Sequence, residues 1–203
     1  MSLSDSSLFT PAEAAVLTRL SIKAVNNAID KNMVPAVVRS GTGESGRFLD
    51  QRALLVLALE YRLANRFFPE LRRRLFDALV ESPRKAVVSL DEGLVTVDLQ
   101  EPRRDLAASL RALRRARSLV VTDPEILGGE PVFRGTRVPV HAIAAMLEQG
   151  STEAEILEAY PRITAEMVGL APAYAQAYPI RGRPRSQPWR DRPPVQRSRE
   201  RLS

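Results

Sequence analysis

DPEILGGEPVFRGTRVPVHAIAAMLEQGSTEAEILEAYPRITAEMVGLAPAYAQAYP, residues 123–179, carries the densest punctuation in the chain. Asp123-Pro124 opens it, followed by Gly128-Gly129, an extended run from Pro131 to Phe133 and Gly135-Thr136. Glycine supplies the positive φ that tight turns need, so these pairs predict turns flanking short strands. Three short helices should follow. The first starts near Pro139, whose missing N–H costs nothing at a first helical position. Val140, Ile143, Ala144 and Leu147 recur at helical spacing along it, and Gly150 ends it. Thr152 and Glu155 form a capping box for the second helix, which buries Ile156 and Leu157 and stops at Tyr160-Pro161. Thr164 caps the third, which carries Met167, Val168, Ala171 and Ala175. Three hard-stopped helices with short connections predict a homeodomain-like, helix-turn-helix shape. Pro172 falls inside the third helix, where it removes a backbone hydrogen bond at a cost of roughly 3 kcal/mol and should kink or shorten it.

The run Asp123 to Val140 resembles the domain of unknown function family 433, as do Leu147 to Gly150, Glu155-Ile156-Leu157, Tyr160-Pro161 and Ile163-Thr164. The resemblance implies an antitoxin of a toxin–antitoxin pair of the VapBC type, whose toxin is a PIN-domain ribonuclease.

The charge of the chain is unevenly spread. The net charge is +6, and residues 180–203 account for it, with eight arginines against one aspartate and one glutamate. Residues 1–80 carry 11 basic and 8 acidic groups, residues 81–122 carry 8 and 6, and residues 123–179 carry 3 and 8. Affinity for nucleic acid comes mainly from neutralising phosphates. The acidic 123–179 domain is therefore a poor main reader of DNA despite its shape. The 203 residues contain no cysteine, which excludes a disulfide framework and thiolate metal sites. His141 is the single imidazole and reads as structural. Glu153, Glu155 and Glu158 read as a solvated helix face. No phosphate loop, partnered histidine or nucleophile motif is present, so neither an enzyme nor a cofactor or metal site is expected. No apolar run suits a membrane span, and MSLSDSSLFT lacks a basic and apolar leader, so a cytoplasmic protein is expected.

The N-terminal region has its own order. Thr10-Pro11-Ala12-Glu13 is a capping box with proline at the first helical position. Ser21 caps a second helix reaching Lys31, with Ala24, Val25, Ala28 and Ile29 inward. Val37-Val38-Arg39 and Arg47-Phe48-Leu49 are strands about a tip at 40–46. Asp50 caps a helix with Leu54, Leu55, Leu57, Ala58, Tyr61 and Leu63. Another helix follows Pro69, with Leu71, Leu75, Leu79 and Val80 inside and Arg72-Arg73-Arg74 outside. Helix, turn, helix, hairpin, helix is the order of a winged helix-turn-helix. It resembles the DNA-binding head of the MerR family in Thr10 to Ala15, Leu20-Ser21, Arg47-Phe48 and the Asp50 helix start. Asn26-Asn27 stand where that family usually has an arginine followed by an aromatic.

Residues 85–99 alternate as a β-hairpin, with Ala86, Val88 and Leu90 facing Leu94, Val95, Val97 and Leu99 across Asp91-Glu92-Gly93. Residues 102–117 form a basic amphipathic helix, apolar at Leu106, Leu110 and Leu113. The tail from 180 has four prolines and few apolar groups, so it is expected to be disordered when free.

Two candidate interfaces follow. For operator DNA, Lys23, Asn26 and Asn27 lie on the polar face of the helix that Ser21 caps, where asparagine can pair bidentately with adenine and lysine with guanine or phosphate. Ser21 joins this candidate DNA-binding set, and Arg19, Arg39 and Arg47 could hold the DNA backbone around helix and wing. The plainer alternative is a solvated face on a protein-binding domain. For the toxin, Trp189, the single tryptophan, with Arg190 and Arg192 forms a segment that could seat an aromatic in a groove and pair arginine forks with the carboxylates of a ribonuclease site. Arg181 and Arg183 join that set, although Arg181-Gly182-Arg183-Pro184 also resembles the core of an AT-hook for a narrow minor groove, and a solubilising tail is the bland alternative. Arg134 and Arg137 should pair with nearby acids such as Glu125 or Glu130.

The expectation is a mainly α protein with short β-hairpins. A winged helix-turn-helix at 1–80, a hairpin and basic-helix connector at 81–122, a homeodomain-like domain at 123–179 and a disordered tail at 180–203 make up the chain. It should act as an antitoxin that neutralises a PIN-domain toxin through its tail and binds its operator as a homodimer. The competing class is a stand-alone transcription regulator with no toxin.

Overall fold

In a computed structural model the described residues are 8–39, 46–63, 68–82 and 85–180. Residues 40–45 of the wing tip predicted at 40–46, and residues 181–203 of the disordered tail predicted at 180–203, lie outside them. Among the described residues the chain forms eight α-helices and three antiparallel strand pairs. The N-terminal elements are α1 (Pro11–Thr18), α2 (Ile22–Asp30), β1 (Val37–Arg39), β2 (Gly46–Phe48), α3 (Gln51–Leu63) and α4 (Pro69–Glu81). Then come β3 (Val87–Leu90), β4 (Val95–Asp98), α5 (Gln100–Ser118), β5 (Val120–Val121) and β6 (Val132–Phe133). The chain closes with α6 (Val140–Glu148), α7 (Glu153–Ala159) and α8 (Ala165–Ala177). No described helix is long and apolar enough to cross a membrane.

Local chemistry starts most of these helices. Thr10 Oγ1 accepts from the Glu13 N–H while Glu13 Oε2 accepts from the Thr10 N–H, which closes the capping box of α1. Thr152 and Glu155 repeat it on α7. Ser21, Asp50 and Thr164 each accept from a first-turn N–H. Gly135, at φ +77°, and Gly150, at +95°, make turns that a side chain would strain.

α3 is buried on nearly every side: Ala53, Leu54, Leu55, Val56, Leu57, Leu59 and Leu63 all leave solvent. A helix apolar all round belongs in a core. Each fully buried leucine contributes roughly 1.5–3 kcal/mol, which makes α3 the organising element of the first half. α1, α4 and α5 pack around it. The β3–β4 hairpin and the inward stripe of α5 (Leu106, Leu110 and Leu113) join the same core. A second core, from Ala116 to Tyr174, is built on Val120, Phe133, Val140, Ile143, Ile156, Val168 and Ala171. α5 feeds both cores. The end of α8 returns to the first, where Ala177 is buried.

Four local expectations are corrected. Leu94 is 88% exposed because Asp91, Glu92 and Gly93 all take positive φ and place it in the loop, outside the Leu90–Val95 ladder. Pro172 does not shorten α8, which runs to Ala177, with Tyr174 and Ala177 buried beyond the proline. Arg72 does not point outward but forms an ion pair with Glu60 of α3, both largely covered. Arg134 has no bond to Glu125 or Glu130. Its guanidinium donates to the Ser118 carbonyl at 3.1 Å, an acceptor that the C-terminus of α5 leaves unpaired, and to the Val120 carbonyl of β5 at 3.4 Å.

Candidate nucleic-acid interface

α2 is amphipathic, with Val25, Ala28 and Ile29 buried against α1. Helical spacing then puts Lys23, Asn26, Asn27 and Asp30 on its outer face. Lys23 and Asn27 are exposed and have no side-chain partner among the described residues. Asn26 is half-buried, and its Oδ1 accepts from Arg47 Nη2 at 3.0 Å. The same guanidinium pairs with the exposed carboxylate of Asp30. Arg47 thus clamps the β1–β2 hairpin to the outer face of α2 and neutralises the one acid on that face. Arg39 lies one register step along the hairpin, its guanidinium 5.8 Å above the Phe48 ring. Ser21 Oγ is engaged in capping at 3.1 Å from the Ala24 N–H.

The predicted DNA set is therefore only partly convergent. Lys23, Asn26, Asn27 and Arg47 form one surface with Arg39 at its hairpin margin. Arg19 stands apart, at the turn between α1 and α2. It takes φ +59° and lines a cleft of about 60 Å³ with Arg62, Asp105 and Ser109. The predicted toxin set, Trp189, Arg190, Arg192, Arg181 and Arg183, lies outside the described residues.

A second constellation escaped the sequence reading. The Tyr178 hydroxyl donates to Glu13 Oε1 at 2.7 Å, and His141 Nε2 lies 2.8 Å from the Tyr178 carbonyl. The Arg117 guanidinium sits 6.0 Å from the Tyr178 ring centroid, and Tyr174 packs against it at 4.8 Å. Burial, then the bond to the Glu13 carboxylate, pushes the Tyr178 hydroxyl well above the usual tyrosine range. The group borders a cleft of about 240 Å³ with Leu8, Phe9, Leu110, Leu113 and Arg114. Two residues before Arg117 on α5, Arg115 makes a two-bond fork with Glu166 of α8, at 2.7 Å for each bond. Their mutual bonding holds the arginine pKa up and the glutamate pKa down. The signal in the sequence was slight: Tyr178 is the last aromatic before the basic tail.

Comparison with known proteins gives three findings. Residues 120–175 match the family described as protein of unknown function (DUF433). The chain is 35% identical over 187 residues to the uncharacterized protein y4eO of Sinorhizobium fredii (strain NBRC 101917 / NGR234), covering 86% of this chain and 83% of that one. It also aligns with the crystal structure of Rv2018 from Mycobacterium tuberculosis at 18% identity and a TM-score of 0.36, over 83% of this chain and 98% of that one, a likeness too distant to assign a role. The chain thus belongs to the family of the Sinorhizobium fredii protein y4eO, and its C-terminal residues 120–175 are the DUF433 part.

Proposed function

We propose that this protein is the antitoxin of a type II, VapBC-like toxin–antitoxin pair, with a PIN-domain ribonuclease as partner, and that it binds its own operator as a homodimer. The observation that carries the DNA part is the outer face of α2: exposed Lys23 and Asn27 beside Arg47, which cancels the charge of Asp30. α1, α2, the β1–β2 hairpin and α3 follow the order of a winged helix-turn-helix, with α2 as its reading helix. α6, α7 and α8 take the homeodomain-like role, and their acidic surroundings suit protein contact better than phosphate. The neutralising part rests on charge and chemistry. Eight arginines and the single tryptophan stand after residue 179, a composition suited to a carboxylate-lined ribonuclease centre.

The test is co-expression with the adjacent open reading frame, followed by size-exclusion chromatography of the full chain and of a chain ending at residue 179. A small partner that co-elutes with the full chain alone, and arrests growth when expressed by itself, supports the antitoxin reading. Full and shortened chains that both run without a partner and both bind DNA would replace it with a stand-alone regulator.

A further inference from the structure

α5 carries more charge than its packing uses. Across Gln100–Ser118 it has six arginines against Glu101 and Asp105. Both acids are already spent on one cation: Arg62 donates to Glu101 at 3.0 Å and to Asp105 at 2.6 Å. Arg103 donates to the Lys85 carbonyl at 3.2 Å, Arg115 is neutralised by Glu166, and Arg117 lies against Tyr178. That leaves Arg104, Arg111 and Arg114, all exposed and without an ion pair among the described residues. Helical geometry puts Arg104 and Arg111 on one line facing away from buried Leu106 and Leu113, with Arg114 at the edge of that face, one turn beyond Leu110, over about 15 Å of axis.

We propose that this face of α5 is a second DNA-binding surface, on which Arg104, Arg111 and Arg114 hold the phosphate backbone of duplex DNA flanking the site read by α2. The inference takes its occupant from the DNA-binding reading of α2 and adds a surface to it. Two observations favour phosphate over protein. The residues between the arginines, Ala107, Ala108 and Ala112, are small and offer none of the aromatic or large aliphatic anchors that carry protein interfaces. Small neighbours also let a backbone come close to the helix. Arg19, at the turn entering α2, lines one cleft with Asp105 and Ser109 of α5, so the start of α2 lies close to α5. A helix segment of this length aligned with a duplex faces about four phosphates of one strand, enough for three arginines.

The experiment uses the full chain, its R104A/R111A/R114A variant and a K23A/N27A variant. Each is titrated with a duplex of the region upstream of its gene and with a scrambled duplex, from 50 to 200 mM salt. Alanine at exposed helix positions keeps α5 folded, and circular dichroism checks this. The expected result is that the triple variant loses about 2.7 from the slope of log affinity against log salt, so wild-type affinity falls about 40-fold more than the variant's over that range. Its preference for the upstream duplex over the scrambled one should not change. An unchanged slope overturns the proposal, as does a triple variant that turns a dimer into a monomer without DNA, because the face would then be a protein interface. Failure of the α2 reading looks different: K23A/N27A keeps the full sequence preference. If no duplex binds the wild-type chain, neither surface stands.

Discussion

The Tyr178 hydroxyl donates a 2.7 Å hydrogen bond to Glu13 Oε1, which joins the last turn of α8 to the first turn of α1. Glu13 uses its other oxygen to accept from the Thr10 N–H. One carboxylate therefore caps the first helix and receives the end of the C-terminal domain. Tyr178→Phe keeps the ring and removes the donor, leaving Glu13 Oε1 covered and short of a partner. The expected cost is about 1–3 kcal/mol, measured by urea unfolding at pH 7.

The same bond sets an alkaline limit. Tyr178 holds its proton more tightly in the folded state, so its contribution is intact below the usual tyrosine pKa. As pH rises above about 10 the unfolded chain releases that proton first, and stability falls. Tyr178→Phe should flatten the decline between pH 9 and 11. Tyr174, raised by burial, leaves a smaller slope in the variant. A decline of equal steepness in both proteins would show that Tyr178 does not carry it.

Pro172 leaves the Val168 carbonyl without its usual donor, yet α8 continues to Ala177. The buried Tyr174 and Ala177 hold the turn that the proline weakens. Pro172→Ala restores the N–H and removes the clash, so unfolding should become harder by about 1–3 kcal/mol, offset in part by a freer unfolded chain. A lower melting temperature would mean that the proline ring contributes packing worth more than the helix defect.

What the sequence made legible were the short-range devices. Thr10 with Glu13, Thr152 with Glu155, and Ser21, Asp50 and Thr164 all lie within three residues of the groups they cap, so spacing alone reveals them. The apolar rows of α2, α5 and α6 were readable for the same reason. Beyond the local corrections at Leu94 and Pro172, the failures are long-range. Arg134 was expected to meet the acids nearest in sequence and instead meets the Ser118 and Val120 carbonyls, because β5 and β6 bring that helix end to it. The Tyr178–Glu13 contact spans 165 residues, and no periodicity encodes it. The polar face of α2 was visible, but not that Arg47 would occupy half of Asn26.

That occupancy divides the two asparagines. Bidentate pairing with adenine needs the amide oxygen and nitrogen together. Asn26 has given its oxygen to Arg47, whereas Asn27 is exposed with neither committed among the described residues. Asn27→Ala should therefore cost about 1–3 kcal/mol of discrimination between operator and scrambled duplex. Asn26→Ala should weaken both duplexes by a similar, smaller factor, through a looser Arg47. Competition binding with the two sequences separates these outcomes, and equal effects of the two substitutions on discrimination would remove the distinction.

The tail prediction tests the proposed partner by charge alone. Arg190→Glu with Arg192→Glu turns two cations into anions in a segment outside the described fold. If those arginines pair with the carboxylates of a ribonuclease centre, reversal replaces attraction with repulsion in a desolvated site, where losing one such partner already costs about 2–5 kcal/mol. Neutralisation of the co-expressed toxin should be abolished. Circular dichroism and thermal unfolding of the chain should stay unchanged, since the described cores do not draw on these residues. Operator binding should fall only in its salt-dependent part, with sequence preference kept. Toxin inhibition that survives the double reversal would move the inhibitory contact away from Trp189 and its neighbours, and the acidic surface of α7 would become the next segment to substitute.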